Sequence, residues 1–100
     1  MKHPRHGLDD ALSSPVRFSI VAALNTVDEA EFAVVRDAVE VSDSVLSKQA
    51  ATLERAGIVA VRKGHVGKRP RTWLRLTSDG RSRFEGHVAA LRAIVERRPY

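Results

Sequence analysis

Residues 62–75, Arg62-Lys63-Gly64-His65-Val66-Gly67-Lys68-Arg69-Pro70-Arg71-Thr72-Trp73-Leu74-Arg75, carry six cations and no carboxylate. Ile58, Val59 and Val61 lead into the stretch; Trp73, Leu74 and Leu76 lead out of it, with two glycines and a proline between. Apolar runs on either side of Gly and Pro predict a β-hairpin, here one whose turn is loaded with positive charge. The tip, Gly64 to Pro70, is expected to be flexible. Lys63, Lys68, Arg69 and Arg71 are the cations expected to neutralise phosphates, and Arg69 or Arg71 can enter a narrow minor groove, where negative potential is enhanced. Trp73 alternates with Thr72 and Leu74, so it faces away from the core-facing leucines. Packing against the last helix or a partner subunit is its expected role, with base stacking the alternative.

Upstream of the hairpin the spacing predicts helices. Leu8 to Ser13 allows one short helix. Ser14-Pro15 reads as an N-cap followed by proline at the first helical position. Val16 to Leu24 is apolar around most of its circumference: Ile20 and Leu24 share one face, Phe18 and Val21 another. Both faces need burial, so one is expected to meet a second subunit. Thr26 to Glu31 is a polar connection, and Phe32 to Val39 a short helix with Val35, Ala38 and Val39 inward. Glu40-Val41-Ser42 makes a turn, with Ser42 the cap of a helix over about 42–56. There Leu46, Ala50 and Leu53 form the core stripe, and Gly57 stops the helix.

Downstream, Thr77-Ser78-Asp79 caps a final helix over about 78–97. Phe84, Val88, Leu91 and Val95 repeat at 4, 3 and 4, the seam of a coiled-coil-like contact. With Leu12, Phe18 and Val21 they are the candidate dimer and core residues.

The sequence has 100 residues and a formal net charge of +5, which fits one domain with an anionic partner. The charge is segregated: Asp28, Glu29, Glu31, Asp37, Glu40 and Asp43 stand against a single Arg36 over residues 28–43. Cysteine is absent, which excludes disulfides, thiol chemistry and cysteine metal sites. No apolar run reaches membrane-span length, residues 1–7 lack a signal-peptide core, and a cytosolic location is expected. Residues 1–7 are expected to be a loose basic arm and 8–97 a single domain.

The order helix, helix, turn, helix, hairpin, helix puts a helix-turn-helix directly before the basic hairpin. Its second helix presents Ser44, Ser47, Lys48 and Thr52 opposite the Leu46/Ala50/Leu53 stripe, with Val45 and Gln49 at the flanks. Small hydroxyls let a helix enter a major groove closely, and Lys48 can reach a phosphate or a guanine edge. Phosphate contacts fix register and base contacts read sequence, so register belongs to the hairpin and preference to the helix.

With those motifs in place, the chain resembles the winged helix-turn-helix transcriptional regulators of the ArsR/MarR-like group, most nearly the short single-domain MarR-like ones. The resemblance lies in Leu12–Leu24, in Ser42–Val59, and in Lys68–Thr72 with Leu76–Arg81, and covers about residues 8–95. It implies an α+β, mainly α fold: helices with a two- to three-stranded β-wing over about 58–76 and a C-terminal dimerisation helix. It further implies a homodimer on double-stranded DNA, most simply a repressor, reading a pseudo-palindromic site with its two recognition helices about 34 Å apart. Metal-sensing members use cysteines or histidine/carboxylate pairs; here His87 with Glu85 and Glu96 makes no ligand set, and the His3/His6 pair is read as incidental. No metal, no cofactor and no membrane partner are expected, and the sequence specifies no small-molecule effector. Neither a phosphate-cradling loop nor a catalytic pairing is present, so an enzyme is not expected. A winged-helix protein-interaction module is the competing reading.

Overall fold

Ser14 and Pro15 start the first helix as their chemistry requires: Ser14 Oγ accepts the Arg17 N–H at 3.3 Å, and Pro15 occupies a position that needs no N–H. The computed structural model describes residues 2–100. In it helix α1 spans Pro15–Leu24, and strand β1 (Ala30–Glu31), helix α2 (Phe32–Val39) and helix α3 (Asp43–Arg55) follow. Strands β2 (Val59–Val66) and β3 (Arg69–Leu76) then lead into helix α4 (Ser78–Glu96). Two 3-10 turns, Pro4–Gly7 and Asp10–Leu12, precede α1. The sheet is antiparallel with strand order β1-β3-β2, so the fold is α+β and mainly helical. Strand β1 is the part of the 26–31 connection that pairs, Ala30 with Leu74 and Glu31 with Trp73. Two residues are too few for alternation to show in a sequence.

One core joins Leu12, Ile20, Val21 and Leu24 at and before α1, Val35 of α2, the Leu46/Ala50/Leu53 stripe of α3, Ile58 just after it, and Val59, Leu74 and Leu76 of the sheet. Burying each of the larger side chains contributes roughly 1.5–3 kcal/mol. Both apolar faces of α1 meet this core. Leu12 and Val21, read as possible dimer contacts, are 1% and 0% exposed and belong to the chain's own interior. Ala38, expected inward, is exposed, and α2 buries only Val35 fully.

Between α2 and α3, Glu40 takes a left-handed conformation, φ 60° and ψ 52°, and the Val41 N–H donates to the Arg36 carbonyl at 3.3 Å. A side chain in that region costs about 1–2 kcal/mol, part of which glycine recovers. Glu40→Gly is therefore expected to stabilise the chain by about 0.5–1 kcal/mol despite the larger unfolded-state entropy of glycine. Urea unfolding would show this as a higher midpoint at constant slope.

The N-terminus differs from the expected loose arm; Met1 itself lies outside the described residues. His3 Nδ1 accepts the Arg5 N–H at 3.0 Å, and the Pro4–Gly7 turn packs on α4, with Gly7 so close that a Cβ there would lie 3.3 Å from the Ala90 Cβ. Next along the chain, the Asp9 N–H donates to His87 Nδ1 at 2.9 Å, and the Asp9 carboxylate accepts from Arg83 at 2.6 and 3.0 Å. Arg83 also donates to the Ala56 carbonyl at 2.8 Å. The face of α4 covered in this way carries His87 and Ala90, and His87 is only 4% exposed. The Phe84/Val88/Leu91/Val95 row lies beside this covered face: Phe84 is half-buried and stacked on Phe18 at 5.6 Å, whereas Leu91 is exposed and Val95 83% exposed. Counting apolar residues alone skips a buried histidine and an alanine.

The Arg83 guanidinium, followed by the Ala11 N–H, holds the Asp9 carboxyl below its ordinary range, against the opposing effect of burial. A carboxylate depressed on folding contributes its full stabilisation above its unfolded pKa and loses it as pH falls through the folded one. Asp9→Asn is therefore expected to be less stable at neutral pH but to lose less stability below about pH 4. Thermal melts at pH 7, 4, 3 and 2.5 should show the two chains converging in acid. Parallel acid limbs would mean that the pair is energetically silent.

Candidate nucleic-acid interface

The exposed side of α3 is set by its buried stripe. Ser42 caps the helix by accepting the Val45 N–H at 3.2 Å, and Asp43 in the first turn suits the positive end of the helix dipole. Arg36 of α2 donates to Asp37 and to Asp43, each at 2.9 Å, tying the end of one helix to the start of the next. Both carboxylates raise the Arg36 pKa, so the clamp stays charged. On the core side of α3, Arg17 of α1 donates to the Ala11 carbonyl at 2.7 Å and to Gln49 Oε1 at 3.1 Å, which fixes Gln49.

Ser44, Ser47 and Lys48 are exposed on α3, as the sequence predicted for a reading face. Thr52 is half-buried, and its hydroxyl donates to the Lys48 carbonyl at 3.2 Å while accepting from Arg55 at 3.3 Å. Arg55 is the cation that the sequence reading missed. It is exposed and falls on the face of Ser44 and Lys48, at spacings of eleven and seven that a helix brings into line. Val45 adds an exposed apolar group suited to a thymine methyl.

Regular pairing continues to the end of the hairpin. Strands β2 and β3 stay in register from Val59/Leu76 to Val66/Arg69, leaving a two-residue turn at Gly67-Lys68 in place of the flexible Gly64–Pro70 tip. Gly67 has φ 62°, the conformation that such turns demand and glycine supplies. Pro70 lies on the part of β3 that β1 does not cover, so its missing N–H costs no sheet bond. Alternation then divides the cations. Lys63 shares the helix-facing side with Val61, Thr72 and Leu74, and lines a groove with Ser47, Ala51 and Glu54 of α3. Arg69 and Arg71 fall on the opposite side, and Lys68 is in the turn itself. The four cations therefore surround the outer half of the wing rather than forming one row.

Arg62 is different. It donates to Glu29 at 3.0 and 2.6 Å, and its guanidinium lies 4.0 Å from the centroid of the Trp73 ring. This bond, followed by the nearby charges of Arg62 and Arg75, lowers the Glu29 pKa. Trp73 packs on its own hairpin: a Cβ at Gly64 would lie 3.2 Å from its Cζ3. The ring is thus covered by Arg62 and Gly64, neither of which a count of aromatics reveals. At the other side of the molecule, Leu8, Leu12, Pro15, Phe18, His87 and Leu91 line an open groove of about 400 Å³ between α1 and α4. Among the described residues no helix is long and apolar enough to cross a membrane, and no group of histidines and carboxylates is placed to hold a metal ion.

Solved structures share this architecture. A transcriptional regulator homologue from Pyrococcus horikoshii superposes with a TM-score of 0.86 at 25% identity, covering 96% of each chain. BpsR of Bordetella bronchiseptica, whose DNA binding is regulated by 6-hydroxynicotinic acid, gives 0.73 at 19% identity over 95% of this chain and 75% of its own. MosR of M. tuberculosis, solved in complex with DNA, gives 0.72 at 18% identity over 92% of this chain and 65% of its own. No curated protein matches the sequence. The winged helix DNA-binding domain pattern matches residues 16–95, most of the chain and all of the helix-turn-helix and wing. The chain therefore belongs to the winged helix DNA-binding domain family.

Proposed function

We propose that the chain is a sequence-specific regulator of transcription that binds a pseudo-palindromic site on double-stranded DNA as a homodimer, most simply as a repressor that occludes a promoter. One observation carries the reading. The helix that a winged-helix protein offers to the major groove is polar and exposed at Ser44, Ser47 and Lys48, beside wing cations that have no carboxylate partner among the described residues. Lys48 and the serines meet base edges, with Thr52 supporting Lys48 from the same face. Lys63, Lys68, Arg69 and Arg71 hold the backbone. MosR, solved with DNA, and BpsR, whose DNA binding is regulated, support the same use of this fold. Nothing in the reading requires catalysis, and the protein acts where the chromosome is, in the cytoplasm.

The dimer contact falls to the groove between α1 and α4, lined by Leu8, Phe18 and the exposed Leu91, with the exposed Val95 one turn further along α4. Leu91→Glu is expected to leave the protomer folded and to yield a monomer in sedimentation velocity, weakening operator binding by an order of magnitude or more, on the scale expected when two linked sites become one.

The deciding experiment is fluorescence anisotropy on a labelled duplex from the protein's own upstream region and on a scrambled duplex, over roughly 50–200 mM salt. Tight binding to the native duplex that survives at the higher salt, with weak and steeply salt-dependent binding to the scramble, is expected. Equal, salt-labile binding to both would reject sequence-specific recognition of that region.

A further inference from the structure

A second basic surface lies where the N-terminal turn meets the end of α4. Lys2 and Arg5 from one segment and Arg92, Arg97 and Arg98 from the other are all exposed, and none has a salt-bridge partner among the described residues. Glu96 is the single carboxylate within these two stretches. Five cations against one acid leave a surplus of four, in a chain whose whole formal charge is +5. The segments are held together: the Pro4–Gly7 turn packs on α4 through Gly7 and Ala90. Burial, followed by the charges of Arg97, Arg5 and His6, pushes the His3 pKa down, so both segments act on the same imidazole.

This surface is remote from the wing. Eight-residue strands reach about 25 Å and a nineteen-residue helix about 28 Å, and β3 and α4 join only through Thr77. The molecule measures 62 × 24 × 21 Å. That length is reached when hairpin and α4 run away from each other, with the wing tip and the arginines of residues 97 and 98 at opposite ends.

We propose that this patch is a second site for the phosphate backbone of double-stranded DNA, so that the protein joins two duplex segments. The partner follows from the chemistry. Cations on separate elements can all be satisfied by a ligand that repeats its charge at short intervals, and duplex DNA carries one every 1.7 Å or so. An acidic protein surface would need apolar anchors that the five side chains do not provide. The proposal rests on the DNA-binding reading for its first duplex only.

The test uses the full chain, a bead-bound duplex and a free fluorescent duplex at about 50 mM salt. Wild type is expected to carry the free duplex onto the beads. The exposed quadruple variant K2A/R5A/R97A/R98A should lose that capture by about tenfold or more, while binding a single duplex within about twofold of wild type and with the same salt slope. Wild type that binds one duplex without capturing the second would overturn the patch as a DNA site, and so would a quadruple variant that captures as well as wild type, which would place bridging in the two wings of a dimer. An acidic protein as the true partner gives the first of these results. If K68A/R69A/R71A retains single-duplex binding and the quadruple variant loses it, the patch stands and the helix-and-wing reading falls. No binding of any duplex by wild type removes both.

Discussion

Gly80→Ala is expected to cost about 3 kcal/mol or more, a large share of the roughly 5–15 kcal/mol that holds a domain of this size. A Cβ at this position would lie 2.1 Å from the Ile58 carbonyl oxygen and within 3 Å of two further backbone atoms of the same residue. Backbone cannot rotate aside as a side chain can. The carbonyl is also held in place, because it accepts the Thr77 N–H at 3.0 Å, and Thr77 Oγ1 donates to the neighbouring Gly57 carbonyl at 2.6 Å. Gly80 itself donates to Thr77 Oγ1 at 2.8 Å, so lifting the first turn of α4 would undo its cap together with its seat on the sheet. Thermal unfolding should show a midpoint lower by about 12 °C or more. Gly57→Ala is the comparator: its φ of 77° disfavours a side chain, but nothing lies within 4 Å, so about 1–2 kcal/mol is expected. A loss at 80 no larger than that at 57 would show that the first turn of α4 shifts to relieve the contact with Ile58, since Gly80 has an ordinary helical conformation.

The second large effect is expected at the wing. Replacing Lys68, Arg69 and Arg71 with alanine should lower DNA affinity roughly 100-fold near 100 mM salt, on native and scrambled duplexes alike. The slope of log K against log salt should flatten by up to about 2.7 per protomer, at about 0.9 for each phosphate released. Folding should be almost unaffected, since Lys68 and Arg69 are exposed and none of the three joins a salt bridge among the described residues. Arg62→Ala is the internal control. Its charge already answers Glu29 and its face covers Trp73, so it should leave the salt slope nearly unchanged while loosening the hairpin. A slope that changes equally in the two variants would mean that Glu29 releases Arg62 when DNA binds.

Sequence and structure agree where local signals were strong. Ser14-Pro15, Ser42 and Thr77 cap helices as read, and the Leu46/Ala50/Leu53 stripe is the buried face of α3. Alternation through Thr72, Trp73 and Leu74 correctly turned Trp73 away from the core. What covers the ring was not legible, because Gly64 and the Glu29–Arg62 pair come from other segments. The sequence names Lys63, Lys68, Arg69 and Arg71 as the phosphate-binding cations, but the contact across 33 positions that occupies Arg62 is invisible to it. The face of α4 that packs inside the chain was not legible for a related reason: His87 and Ala90 become interior only once the first twelve residues fold over them. Arg55 was missed at the end of a helix whose reading stopped at its polar middle.

A hairpin paired to its last two residues has a further consequence for how a duplex is engaged. Such a wing has little disorder left to lose, so contact through it carries a small ordering cost on the protein side. The adjustment then falls to the nucleic acid, whose groove width must suit a ribbon of fixed breadth. Base steps that narrow or widen easily would be favoured at positions no side chain touches. Lengthening the Gly67-Lys68 turn with extra glycines would return that freedom to the protein, weakening binding while blunting discrimination between flexible and stiff sequences, with every cation still in place.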